Sequence, residues 1–313
     1  MIRIDRATRK YGGFTAVDGV SVEIDRGEVV GLLGHNGAGK TTLMKMLTGV
    51  LEPTAGTLSV SGNDLVEART AAQRHIGYLP ESAPLYPEME VFEYLLLMAE
   101  LRGVERARQE AAVLKAAEAT GLTDRLSQPI RELSKGYRQR VGIAQAIVHD
   151  PDVLVLDEPT NGLDPVQIES IRELITKLAE HTTIILSTHI LQEVEAVCDR
   201  ALIMIGGRLV ADDRLEALLA TDRVLLTVQS PPADIAAVLA KLEGVSGVEA
   251  LADDVRVPGG RRFALSATAG LVPRLLELAR EQGWTVVAVG PEHRTLETVF
   301  KELQNRHARK GVA

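Results

Sequence analysis

At 313 residues, with 45% apolar and 25% charged residues, the chain has an ordinary globular composition and room for one large domain plus a smaller one. A formal charge of −8 and only 3% aromatic residues speak against a nucleic-acid partner, which needs a broad cationic face or stacking platforms. One cysteine, Cys198, excludes an intrachain disulfide, and no segment approaches the roughly 20 apolar residues that span a bilayer.

The chain opens on Met1-Ile2-Arg3-Ile4-Asp5-Arg6, without the apolar centre of a signal peptide, so a soluble protein is expected. Ile2–Ile4 and Val20–Ile24 alternate apolar and polar residues, which predicts antiparallel strands with one exposed face. Val29-Val30-Gly31-Leu32-Leu33 is a continuous apolar run, as in a strand buried on both faces. A helix follows from Gly39, with Leu43, Met46 and Leu47 on one side and Gly49 as its stop. Between Leu85 and His149 the pattern is helical and holds no strand. Its Phe92–Leu101 and Arg106–Thr120 stretches predict a helical subdomain, about 85–149, inserted between sheet strands. Buried runs return at Val153–Leu156 and Thr183–Leu186, which predicts an α/β sheet with parallel central strands.

Ala201–Ile205, the turn Gly206-Gly207 and Arg208–Ala211 read as a hairpin, and a short helix to Ala220 closes a first domain over 1–221. The remainder, 222–313, has strand Val224–Val228, helix Ala233–Leu242, strands Val245–Leu251 and Arg262–Leu265, helix Leu271–Gln282 and strand Trp284–Val289. That order predicts a small α+β, ferredoxin-like module. Cys198 and Trp284 read as packing residues, and Arg306–Lys310 as a solvated terminus.

Gly34-His35-Asn36-Gly37-Ala38-Gly39-Lys40-Thr41 matches G-x-x-x-x-G-K-[ST] in full, between the buried strand and the helix, with Thr42 following. Its glycines allow the turn whose N–H groups surround phosphates, and the helix N-terminus favours an anion. Lys40 can reach the β- and γ-phosphates, and the Thr41 hydroxyl can ligate Mg²⁺. A plain Gly-rich turn is the bland alternative. Val153–Leu156 ends in Asp157-Glu158, two adjacent acids that are costly on a buried strand unless they meet a cation or donors. Asp157 is placed to hold the Mg²⁺ shell and Glu158 to polarise an attacking water, unless the pair only begins a solvated loop.

With these motifs in place, Leu133-Ser134-Lys135-Gly136-Tyr137 resembles the LSGGQ signature of ABC ATPases. Gly162-Leu163-Asp164 is similar to that family's D-loop, Ser187-Thr188-His189 to its switch histidine, and Ile76–Glu81 to its Q-loop. Tyr11 stands where the family stacks an aromatic on adenine. The motifs keep the family's order and cover about residues 2–220. The resemblance implies a P-loop NTPase fold with an antiparallel β subdomain, and ATP and Mg²⁺ as cofactors. It also implies a second copy of the subunit whose ATP meets Ser134, Gly136 and Asp164. Catalysis falls to Glu158 and His189, and the metal to Thr41, Glu81 and Asp157. Read from the residues alone, Ser134 is an N-cap, His189 a strand-end hydrogen-bonding residue, and Glu81 a loop acid.

Three positions depart from the family pattern: Lys135 for a glycine, Tyr137 for glutamine, and Glu81 for the Q-loop glutamine. These variants and the C-terminal module resemble bacterial exporter ATPases of the gliding-motility and sodium- or drug-export kind. The resemblance implies a separately encoded membrane-spanning permease, a place on the cytoplasmic face of the membrane, and no nucleic-acid partner. Competing functions are a soluble ATPase acting on ribosomes or DNA, and a nucleotide switch that does not hydrolyse. The first would call for two ATPase units or a long coiled coil; the second sits badly with Glu158 and His189 both present.

Overall fold

Ile2–Tyr11 (β1) buries alternate residues and pairs antiparallel with Phe14–Ile24 (β2), from Ile2 opposite Ile24 to Tyr11 opposite Phe14. Val29–Leu33 (β3), all five residues buried, runs into the phosphate-type loop and then Lys40–Leu47 (α1). The polar-rich stretch that follows makes Ala55–Val60 (β4), Asn63–Asp64 (β5) and Arg69–Gln73 (α2) before Ile76–Leu79 (β6). The computed structural model of the chain describes residues 2–252, 257–267 and 270–310.

Val91–Leu101 (α3), Gln109–Thr120 (α4) and Lys135–Ile147 (α5) pack on one another around Val91, Leu95, Val113, Leu122 and Val141, all fully buried. This is the helical insert read from the sequence. Gly121 ends α4 at φ 67, the left-handed value glycine adopts freely. Val153–Asp157 (β7), Pro165–Ala179 (α6), Thr183–Thr188 (β8), Leu191–Val197 (α7), Arg200–Ile205 (β9), Arg208–Arg214 (β10) and Leu215–Leu219 (α8) follow.

β2-β1-β4-β5 form one antiparallel sheet; β10-β9-β3-β8-β7-β6 form the central sheet, parallel from β9 to β6 with β10 antiparallel at its edge. A core running from Ile2 and Ile24 through Met44 and Leu58 to Val155 joins α1 to both. β3 admits only glycine at its centre: a Cβ on Gly31 would stand 2.6 Å from a Val194 methyl and 3.2 Å from the Cys198 sulfur. Cys198 lies just past the end of α7 and is buried by this packing, and burial pushes its thiol up. The parallel order places the C-terminal ends of β3, β7 and β8 side by side, so the loop after β3, Asp157-Glu158 and His189 meet at one edge.

The second unit holds Arg223–Gln229 (β11), Ile235–Leu239 (α9), Val245–Leu251 (β12), Gly260–Ala267 (β13), Leu271–Glu281 (α10) and Thr285–Pro291 (β14). Its sheet runs β12-β13-β11-β14, antiparallel throughout, over a core of Leu226, Val228, Phe263, Leu265 and Leu275. Trp284 packs against that core just ahead of β14. A last helix, Leu296–Lys310 (α11), takes in Arg306–Lys310, which the sequence alone presents as a solvated terminus. Internal packing divides the described residues into two units, 2–216 with 300–310, and those within 217–299.

Candidate active site

The loop from Gly34 to Thr41 is shaped by its glycines. Gly39 has φ 102, and a Cβ there would lie 2.4 Å from the Ala16 carbonyl oxygen. Gly34 is held as tightly, 2.7 Å from the Met204 carbonyl oxygen by the same measure. The first turn of α1 carries no acid, which leaves its N-terminal amides to an anion. The Lys40 ammonium turns back over the loop and donates to the Gly34 carbonyl at 2.7 Å. Burial pulls Lys40 below the usual lysine range, against the opposing pull of Glu158, Asp157 and Glu81.

A cavity of about 480 Å³ opens in front of this loop. Residues of the phosphate-type loop and the start of α1, from His35 to Thr42, line it together with Glu81, Glu158, His189 and Tyr11. Tyr11 is 47% exposed at the tip of the β1–β2 hairpin, with the Arg9 guanidinium 4.9 Å from its ring centre. Three lining residues were not singled out in the sequence: Phe14, Ala16 and Asn161. Phe14, 63% exposed opposite Tyr11, gives the hairpin a second exposed aromatic side chain, and the pairing of the two strands is the signal that identifies it. Asn161 donates its amide to Glu81 Oε1 at 3.4 Å.

Asp157 closes β7, 1% exposed, with both carboxylate oxygens lacking a hydrogen-bond partner. Burial pushes its carboxyl up; the nearby Ser187 hydroxyl, not at bonding geometry, and Lys40 pull it down, while Glu158 and Glu81 add to the rise. Glu158 follows at φ 50, an uncommon conformation for a side-chain-bearing residue. That turn sends its amide to the Ser187 carbonyl at 2.8 Å and its carboxylate to His189, Nδ1 to Oε2 2.8 Å. A left-handed residue that joins two functional side chains is the kind of local strain functional sites retain.

Other predicted residues stand elsewhere. Ala38 is buried and, with His35–Gly37 and Met204–Gly206, lines a separate cavity of about 150 Å³. Ser134 caps α5, accepting the Tyr137 N–H at 3.4 Å, and Asp164 caps α6, accepting the Gln167 N–H at 2.9 Å ahead of Pro165. Gly136 is buried, and a Cβ there would lie 2.8 Å from Gln167 Oε1. None of Ser134, Gly136 and Asp164 lines the cavity. Both capped helix starts therefore stand outside the cavity formed on this chain's own phosphate loop.

The family model described as ABC transporter matches residues 17–161. The chain is 34% identical over 307 residues to the bacitracin transport ATP-binding protein BcrA of Enterococcus faecalis, covering 97% of this chain and 96% of that protein. It is 39% identical over 222 residues to the Nod factor export ATP-binding protein I of Paraburkholderia xenovorans, 71% of this chain and 73% of that one. Among solved structures, a bacterial ABC transporter cassette determined as a dimer superposes with a TM-score of 0.62 at 25% identity, covering 69% of this chain and 99% of that one.

Proposed function

This chain belongs to the ATP-binding subunits of ABC transporters, and from that premise we propose which of its residues handle the nucleotide. It binds and hydrolyses ATP, and like its family it works as a dimer with a separate membrane-spanning subunit. In our reading the adenine lies against Tyr11 and Phe14, two exposed aromatic side chains that line the cavity. The phosphates lie in the Gly34–Thr41 loop, where Lys40 exchanges the Gly34 carbonyl for a phosphate oxygen.

Thr41, Asp157 and Glu81 fit a hard divalent cation, because Asp157 keeps two buried oxygens that no donor satisfies. When bound, Mg²⁺ supplies neutralising charge at the phosphates. Glu158 orients and polarises the attacking water, and His189 holds that carboxylate in place at 2.8 Å. Ser134, Gly136 and Asp164 face the ATP of a second copy of this chain. The names of two relatives, one of Nod factor export and one of bacitracin transport, support an export role; a peripheral place on the cytoplasmic face is part of the same reading.

The observation that carries this reading is the convergence of Asp157, Glu158 and His189 on the edge of the central sheet that also bears the complete phosphate loop. Its test is a pair of substitutions. Glu158→Gln keeps ATP binding and lowers steady-state phosphate release by about 100-fold or more, the usual weight of a positioned general base. ATP then holds the protein as a dimer in size-exclusion chromatography. Lys40→Ala weakens ATP binding or turnover sharply, whereas Cys198→Ala changes neither. Near-normal turnover in Glu158→Gln would remove Glu158 from the role assigned to it.

A further inference from the structure

Glu193 is a charged residue with 1% exposure, a placement that demands good partners. The partners it has are two hydroxyls, one from the turn after Glu158 and one from the last residue of β8. Thr160 Oγ1 donates to Glu193 Oε1, and Thr188 Oγ1 donates to Oε2 at 2.8 Å. Thr160 is 3% exposed and Thr188 fully buried, so water does not compete for either bond. Thr188 Oγ1 also accepts the Ile190 N–H at 3.1 Å, which brackets His189 between a fixed hydroxyl and a fixed amide. Thr160 stands two residues after Glu158, in the turn where the Asn161 N–H returns to the Glu158 carbonyl at 3.1 Å.

One carboxylate thus ties the turn that follows Glu158 to the end of β8, next to His189. We propose that Glu193 is a positioning residue for hydrolysis, which sets the contact between Glu158 and His189 by clamping Thr160 and Thr188. The inference rests on the assignment of Glu158 and His189 to the chemistry. Glu193 reaches neither group, and it acts only through the two threonines. An acid in the first turn of α7 also favours that helix N-terminus, so a purely structural role predicts lost stability and nothing else.

Substitution chemistry separates the two roles. Glutamine keeps the shape but replaces two charged acceptors by one neutral oxygen and a donor nitrogen, so one threonine bond must reverse its direction and both lose their charge assistance. Thr160→Val removes the hydroxyl at constant shape, and Thr160→Ser restores it. The full chain and its Glu193→Gln, Thr160→Val, Thr160→Ser and Glu158→Gln variants are compared for Mg·ATP affinity, steady-state kcat and melting temperature. Glu193→Gln and Thr160→Val are expected to lose about 10- to 100-fold in kcat, the scale of an ångström-sized misplacement, with nucleotide affinity held within about threefold. Thr160→Ser is expected to recover most of the rate.

A kcat within about twofold of the parent in folded Glu193→Gln and Thr160→Val would overturn the proposal, since a misplaced group at this site costs far more. So would a Thr160→Ser variant as slow as Thr160→Val. If Glu193→Gln does not fold, the Thr160 pair decides alone. Glu158→Gln serves as the control: full turnover there defeats the assignment of the site itself, whereas an inactive Glu158→Gln beside a normal Glu193→Gln defeats only the clamp.

Discussion

Glu81 is an exposed carboxylate on the cavity wall, where the family pattern has a neutral amide, and its charge acts on both Lys40 and Asp157. Two like charges about 4 Å apart cost about 1 kcal/mol even through water, roughly a factor of five in affinity. A divalent cation between Glu81 and the phosphates reverses that sign. Glu81→Gln is therefore expected to keep Mg²⁺-dependent hydrolysis while improving metal-free ATP binding by a few fold, so that the metal dependence of affinity shrinks. Titrating ATP with and without Mg²⁺ in both proteins measures this, and equal metal dependence would place Glu81 beyond the ion's reach. At this scale most of the site was legible beforehand, because the loop Gly34–Thr41 and the pair Asp157-Glu158 are contiguous runs whose chemistry needs no fold to recognise. Phe14, Asn161 and Glu193 were not. Each matters through a partner set by strand pairing or loop return, as Thr160 does for Glu193 across 33 positions.

Elements show the same division for a different reason. β3, β7 and β8 were evident because strands covered on both faces are wholly apolar, whereas β4 begins with three exposed residues and β6 was read only as a loop motif. β6 also supplies a pH-sensitive junction. The Ile76 carbonyl oxygen accepts from His149 at 3.2 Å, just after α5, and from Arg102, just after α3, at 3.4 Å. Burial, with the Arg102 charge beside it, pushes His149 down to about 4. A histidine lowered in the folded state binds its proton first in the unfolded chain, so stability is complete above the ordinary value near 6.5 and is lost as pH falls toward 4. At pH 5 the loss is about 2 kcal/mol. His149→Gln, which can still donate to Ile76, is expected to show that much less acid destabilisation when urea midpoints at pH 7 and pH 5 are compared. An unchanged difference would mean that His149 charges freely in the folded state.

For the molecule as a whole, the chain's return matters. The end of α11 belongs with residues 1–216, and there Phe300, 6% exposed, meets the His35 ring edge-on at 4.8 Å and 82°. His35 is part of the phosphate loop, so the last helix braces that loop from a site remote in sequence. Phe300→Ala forfeits an aromatic pair worth about 1 kcal/mol beyond its buried area and is expected to raise the ATP dissociation constant about two- to tenfold while lowering the melting temperature. Isothermal titration beside a melting curve checks both, and an unchanged affinity would make the contact mere packing. Cys198 has a consequence of another kind. The folded chain hides its one thiol between α7 and Gly31, and burial holds the sulfur in its unreactive protonated form. Its disappearance under a thiol reagent is thus paced by how often this wall of the nucleotide-binding unit swings open, and the unaltered protein carries its own clock for breathing motions.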